Sequence, residues 1–124
     1  MTRRTVLITA FLLAIPAFAS ESVARSITIY RDKFGVPHVY APTDAAASFG
    51  FAYAQAEDNF WQIEDSYIRG VGRAAEVYGE KALADDLVVH ALEIPKYARQ
   101  EYERLSPKAK AVADGYIAGL NWYL

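Results

Sequence analysis

The stretch SITIYRDKFGVPHVYAPTD, Ser26–Asp44, decides how this chain is read. Ile27 and Ile29 alternate with Thr28 and Tyr30, the period of two of a strand with one covered face. Asp32-Lys33-Phe34-Gly35 has the composition of a turn, with Asp opening it and Gly closing it. Val36, Val39 and Tyr40 form a second apolar run. Pro37 lacks an N–H, so this second strand is an edge or starts at the proline. The stretch predicts a β-hairpin. At Thr43 the period changes to that of a helix, which Thr43 or Asp44 can cap and whose first turn Asp44 makes acidic. His38 then stands as either a catalytic group or a residue that closes the hairpin.

Beyond Asp44 the chain reads as helices. Ala47, Phe51, Tyr53 and Ala54 recur at helical spacing. Gly50 is unfavourable inside a helix by about 1 kcal/mol relative to Ala, and it marks a close helix–helix or helix–sheet approach, or a break. AEDNFWQIEDSYIRGVG predicts a second helix with Asp58 as N-cap, Phe60, Trp61, Ile63, Glu64, Tyr67 and Ile68 lining up with an apolar face, and an end at Gly70 and Gly72. RAAEVYGEKALADD predicts a short helical turn closed by Gly79. The helix after it carries Leu87, Val88, Ala91 and Leu92 as its stripe, up to Pro95, which must start a new segment or kink the old one. In PKYARQEYERL, Arg99 and Glu103 are four apart and can pair. The last helix has Ser106 as N-cap and Pro107 at its first position, then a face of Ala109, Val112, Ala113, Tyr116, Ile117 and Leu120. It runs to Trp122 and Leu124 with no Gly cap or polar tail, and the expectation is a chain that continues beyond Leu124.

Ahead of Ser26 lies MTRRTVLITAFLLAIPAFAS: two arginines, an apolar run from Val6 to Phe18, and small residues at alternate positions before Ser20. This is the pattern of a secretory signal peptide over residues 1–19, cut after Ala19. The apolar run is short of the roughly 20 residues that span a bilayer, so no stable membrane anchor is expected. The export route leads to the periplasm or outside the cell, and the remaining 20–124 make one domain at most or a piece of a larger one. Ser20-Glu21-Ser22 reads as a polar leader. Removal of Arg3 and Arg4 takes the basic count from 13 to 11 against 15 acids, a net charge near −4. No basic patch remains for nucleic acid. With no cysteine, no disulfide staples the exported chain.

The search for chemistry excludes several classes. No glycine-rich phosphate loop, dinucleotide fingerprint, HExxH or GxSxG occurs. His90 lies on an otherwise apolar helix and reads as a packed residue. The acidic pairs Glu57-Asp58, Glu64-Asp65 and Asp85-Asp86 point about 100° apart on a helix and suit capping or solvation. Ser20 would acquire a free α-amine after cleavage, and such an amine can act as base for its own hydroxyl. Nothing around it builds an oxyanion hole, however, and the coincidence reading is preferred. The expected list of catalytic, cofactor-binding and metal-binding residues within this chain is empty.

From Arg31 to Glu80 the chain resembles the start of the α-chain of the penicillin acylase family, N-terminal-nucleophile hydrolases that cleave linear amides. The likeness rests on Arg31, Asp32, Gly35, Val36, Pro37 and His38, then Tyr53, Gln55, Ala56 and Asp58, though Gln55 and Ala56 stand in the order Gln-Ala. It continues through Gly72, Arg73, Ala75, Glu76 and Gly79, and ADGYIAGLNWYL is similar to the family's helix ending Gly-x-Asn. The resemblance implies an α+β fold: an N-terminal β-hairpin followed by several α-helices, part of an incomplete αββα arrangement. It also implies a precursor that cuts itself into two chains. The partner would then be the β-chain of the same precursor, which supplies the nucleophilic serine and the oxyanion-hole asparagine. Acyl-amide small molecules would be the substrate, and calcium a possible ion of the full-length protein, with ligands mostly beyond Leu124. On this reading the fragment itself is inactive and His38 belongs to a scaffold hairpin. The competing reading is a secreted helical binding module without catalysis.

Overall fold

A computed structural model describes residues 17–124, with side-chain environments from Ser20 onward; the signal-peptide reading falls mostly on residues outside this range. Ser20-Glu21-Ser22 is not an irregular leader. It belongs to helix α1, Ala17–Arg25, where Glu21 and Arg25 pair one turn apart at 2.5 Å, the spacing at which opposite charges support a helix.

The hairpin follows as β1, Thr28–Arg31, and β2, Pro37–Tyr40, antiparallel with Tyr30 opposite His38 and Arg31 opposite Pro37. The second strand starts at the proline, where the missing N–H removes no ladder bond. Ile29, Arg31, Pro37 and Val39 point inward; Thr28, Tyr30, His38 and Tyr40 point to solvent. Gly35 closes the turn with φ +82°, a conformation open to glycine at little cost.

Helix α2 runs from Asp44 to Gly70, and Thr43 caps it by accepting from the Ala46 N–H at 3.1 Å. The two helices expected here are one, bent at Asn59, whose φ −150° and ψ 41° leave the helical region. Asp58 is not the N-cap of a new helix, because its carboxylate is held by Arg31. Gly50 marks a helix–sheet approach: a Cβ there would lie 2.7 Å from Val39 and 2.8 Å from Ile27. The buried face is made of Ala46, Phe49, Ala52 and Ala56, with Ala54 also enclosed, while Phe51 and Trp61 of the expected faces are exposed.

Gly72, at φ +71°, leads to α3, Ala74–Tyr78, and Gly79, at φ +73°, to a 3-10 turn at Glu80–Ala82. Helix α4 covers Leu83–Ala91, and Glu93 in the left-handed region separates it from α5, Ile94–Arg104, with Pro95 in the first turn. The stripe of Leu87, Val88 and Leu92 is exposed rather than packed. Helical period identifies an apolar face but not what covers it. Glu103 pairs with Lys110 at 2.8 Å and not with Arg99, which ties α5 to α6 together with the hydrogen bond from the Tyr102 hydroxyl to Asp114.

Helix α6, Pro107–Tyr123, has the expected cap, Ser106 accepting from the Ala109 N–H. It packs along α2, and this seam is the core. Ala52, Ala56 and Leu120 are buried in it, flanked by Phe60, Ile63 and Tyr116. A Cβ on Gly115 would sit 2.3 Å from the Ala45 carbonyl oxygen, and one on Gly119 2.1 Å from that of Phe49. The two backbones can approach this closely only because both positions are glycine. At the far end Trp122 meets Phe49, and Tyr123 meets Tyr53 and Phe60, at centroid distances of 5.5–6.4 Å. Trp122 is therefore partly packed; Leu124 is 79% exposed.

Candidate functional site

The residues that carried the resemblance converge at two places. The first is the junction of the hairpin with the bend of α2. Asp32 organises the turn: its carboxylate accepts from the Phe34 N–H at 2.8 Å and the Val36 N–H at 3.0 Å. His38 Nε2 lies 3.4 Å from the other carboxylate oxygen, with the ring on the solvent face beside Tyr30. The imidazole thus sits against the acid that organises the turn. The Phe34 N–H, then the Val36 N–H and His38, hold the Asp32 carboxyl below the usual carboxylate range, against an opposing effect of burial.

That direction predicts an acid sensitivity. A carboxylate whose folded pKa is depressed contributes stability above its unfolded pKa and loses it as pH falls through the folded value. The hairpin should therefore loosen progressively below about pH 4, near and under the ordinary aspartate pKa. Asp32→Asn should flatten this acid limb in thermal melts recorded from pH 7 to pH 2. An unchanged limb would mean that other carboxylates govern it.

Arg31 points the other way along the hairpin. Its guanidinium donates to the Gly35 carbonyl at 3.0 Å, to Asp58 at 3.0–3.1 Å, to Glu57 at 3.1 Å and to the Ala54 carbonyl at 3.4 Å. One side chain thus ties turn, strand and helix bend together. Asp58, then Glu57, raise its pKa further above an already high value. Tyr53 sits one turn before, its hydroxyl pKa raised by burial and by Glu57. On α2 and α6 an open groove of about 510 Å³ follows the bend, lined by Gln55, Asp58, Asn59, Gln62, Ser66 and Tyr116 among others. Gln55 anchors its wall by accepting from the Tyr116 hydroxyl at 2.9 Å.

The second place is the Gly72–Gly79 element. Arg73 and Glu76 form a two-pronged pair at 2.7 Å. His90 Nε2 donates to the Gly72 carbonyl at 2.9 Å, with its ring where a side chain on Gly72 would have to be. Asp86, only 4% exposed, reaches back from α4 and accepts from the Ala74 N–H at 2.9 Å and the Ala75 N–H at 2.7 Å. The capping role foreseen for the Asp85-Asp86 pair exists, but Asp86 caps α3 rather than its own helix.

Sequence reasoning missed three features. Arg31 as a hub and Asp86 as a remote cap leave no local trace, since their partners lie 27 and 12 residues away. Gly115 and Gly119 did carry a signal, two glycines four apart facing an alanine-rich helix. The acidic pairs are engaged: Glu57-Asp58 by Arg31, Asp65 by Arg69 and Tyr78, Asp86 by two N–H groups. Among the described residues no group of three His, Cys, Asp or Glu side chains is placed to hold a metal ion. Ser20 lies within α1 and lines a shallow groove with Asp114 and Ala118. No helix among the described residues is long and apolar enough to cross a membrane.

What this geometry does is brace: charged and polar groups lock a hairpin to a bent helix and a short helix to the next. The family description penicillin amidase matches residues 26–124, a range that includes both bracing points. The chain belongs to the penicillin amidase family. It is 32% identical to penicillin acylase 2 proenzyme of Pseudomonas sp. strain SE83 over 90% of this chain and 14% of that protein. It is 31% identical to penicillin G acylase of Escherichia coli over 90% of this chain and 13% of that protein. Acyl-homoserine lactone acylase QuiP of Pseudomonas fluorescens strain Pf-5 is 30% identical over 84% of this chain and 13% of that protein. Among solved structures, a thermostable penicillin G acylase from Alcaligenes faecalis superposes with a TM-score of 0.73 at 29% identity, over 79% of this chain and 52% of that one. The helices after a two-stranded hairpin are thus a part of the penicillin acylase fold, as the resemblance implied. The chain spans about one seventh of the length of these curated relatives.

Proposed function

We propose that these residues are the leading part of the α-chain of an exported acylase that hydrolyses linear C–N amide bonds, and that they serve it as scaffold. The observation that carries this is the family match from Ser26 to Leu124 together with the convergence of Arg31, Asp32, Asp58, Gly72 and Arg73 on two bracing points. The relatives' names point to penicillins or acyl-homoserine lactones as the substrate class. The nucleophile and oxyanion hole then come from a partner chain of the same precursor, and any calcium in the full-length protein takes most of its ligands beyond Leu124. Export to the periplasm or medium rests on the pattern of residues 1–19.

Two measurements test this. Residues 20–124 alone should show no turnover on chromogenic acyl amides, whereas a reading frame continuing past Leu124 into a second chain that begins with serine should give turnover when expressed whole. A stop codon after Leu124 would favour the binding module, and turnover by 20–124 that Ser20→Ala abolishes would place the chemistry in this chain. In the active full-length protein, His38→Asn should lower processing yield or melting temperature and leave turnover of the processed enzyme within a few-fold. A hundredfold loss of turnover with normal processing would put His38 in the reaction.

A further inference from the structure

We propose that Arg31 is a strap that holds α2 bent, and that α2 has two states: kinked at Asn59 with the strap engaged, continuous with it released. Helix bends normally trace to Pro, to Gly, to a bulge, or to a group inserted into the i→i−4 ladder. Residues 51–69 contain neither Pro nor Gly, and Asn59 alone leaves the helical region. The bend is therefore imposed from outside the local sequence, and the group seated against it is the Arg31 guanidinium.

Its contacts explain why the bent state wins. A break at Asn59 makes a helix C-terminus out of residues that would otherwise be mid-helix, and the last carbonyls of such an end lack partners. It also puts the Glu57 and Asp58 carboxylates at the negative end of a helix dipole, where they are unfavourable. Arg31 answers both problems. It donates to the Ala54 carbonyl at 3.4 Å and lies 3.0–3.1 Å from both carboxylates. In a regular helix these two neighbouring side chains would point about 100° apart. With Arg31 absent, the bent state keeps its open carbonyls and misplaced charges, while a continuous helix has neither. The groove over the bend follows this choice, because Gln55 on one side is fixed to Tyr116 of α6 and Gln62, Ser66 and Tyr67 move with the far half of α2. That far half also carries α3, through the Tyr78 hydroxyl on Asp65 at 2.6 Å.

Amide hydrogen exchange in the 124-residue chain separates a strap from a simple brace. In the bent state the i→i−4 ladder is interrupted where Asn59 leaves the helical region, and amides whose bonds span such a break are left with weakened or missing acceptors; straightening restores them. Arg31→Gln should slow exchange at Asn59–Gln62 by tenfold or more, with the amides of 112–120 unchanged or faster. Glu57→Gln together with Asp58→Asn, which leaves Arg31 in place, should slow the same amides by at least threefold. Exchange at Asn59–Gln62 that is unchanged or faster, in either variant, overturns the proposal; acceleration across the whole chain in Arg31→Gln counts among those outcomes.

Discussion

Gly119→Ala should destabilise the fold by about 3 kcal/mol, the upper range for forcing a methyl group into a packed interior. The usual sign of this substitution in a helix is the reverse, since alanine is favoured over glycine by about 1 kcal/mol. Which effect wins is decided by what the new methyl meets. Here it meets the Phe49 carbonyl oxygen at 2.1 Å and the carbonyl carbon at 2.9 Å, backbone atoms that cannot rotate away. Helix α6 would have to lift off α2, which opens the seam holding Ala52, Ala56 and Leu120. Gly70→Ala is the matched comparison, because nothing lies within 4 Å of a Cβ there; it should be neutral or stabilising by about 0.5 kcal/mol. Urea titrations of the two variants followed by far-UV circular dichroism should move in opposite directions. A Gly119→Ala midpoint at or above wild type would mean that α2 and α6 do not cross this closely.

Asp86→Ala should cost about 2–3 kcal/mol. Two N–H groups at the start of α3 lose their acceptor, and an unsatisfied buried donor costs on the order of 1–3 kcal/mol, while loss of a cap alone is typically about 1 kcal/mol. Asp86→Asn retains one carbonyl oxygen and should fall between Ala and wild type. The specific sign of the mechanism is local: exchange of the Ala74 and Ala75 amides should accelerate more than that of the α2–α6 seam. Equal acceleration everywhere would assign Asp86 to general packing rather than to the cap.

These two sites differ in how far they could be read in advance. The hairpin, the Thr43 and Ser106 caps and the close approach at Gly50 were legible because each depends on neighbours in sequence: alternation, a turn of four residues, a hydroxyl three positions before the N–H it accepts from. The bend at Asn59 was placed one residue early and explained by the wrong group, since Asp58 has the composition of a cap but its carboxylate answers to Arg31 across 27 residues. Asp86 was recognised as a cap type without its client helix. The exposure of the Leu87, Val88 and Leu92 stripe was not legible, because a period of 3.6 reports which residues share a face and not whether another element lies on it. His38 was legible in the end through the pleat: in β2 it alternates with inward Pro37 and Val39, so its ring must face solvent. The empty site list follows from the residues that the sequence lacks and from the family likeness, not from any geometry.

The glycine seam also sets an order of events during synthesis. Helix α2 and the hairpin that leans on it are complete once Gly70 has left the ribosome, yet the Ala52 and Ala56 face finds its cover only when Gly115, Gly119 and Leu120 of α6 arrive, after the whole of α3, α4 and α5 has been made. Contacts that close such a long loop form late, because the entropy of the intervening chain is lost before the contact compensates for it. Until then the longest helix of the chain presents a narrow, small-residue strip to whatever is near. Its alanines keep the middle of that strip shallow, so a foreign apolar side chain can grip a nascent α2 chiefly at Phe49, Phe60 and Ile63 on its margins, and the same economy of side chain in the middle later allows α6 to dock tightly.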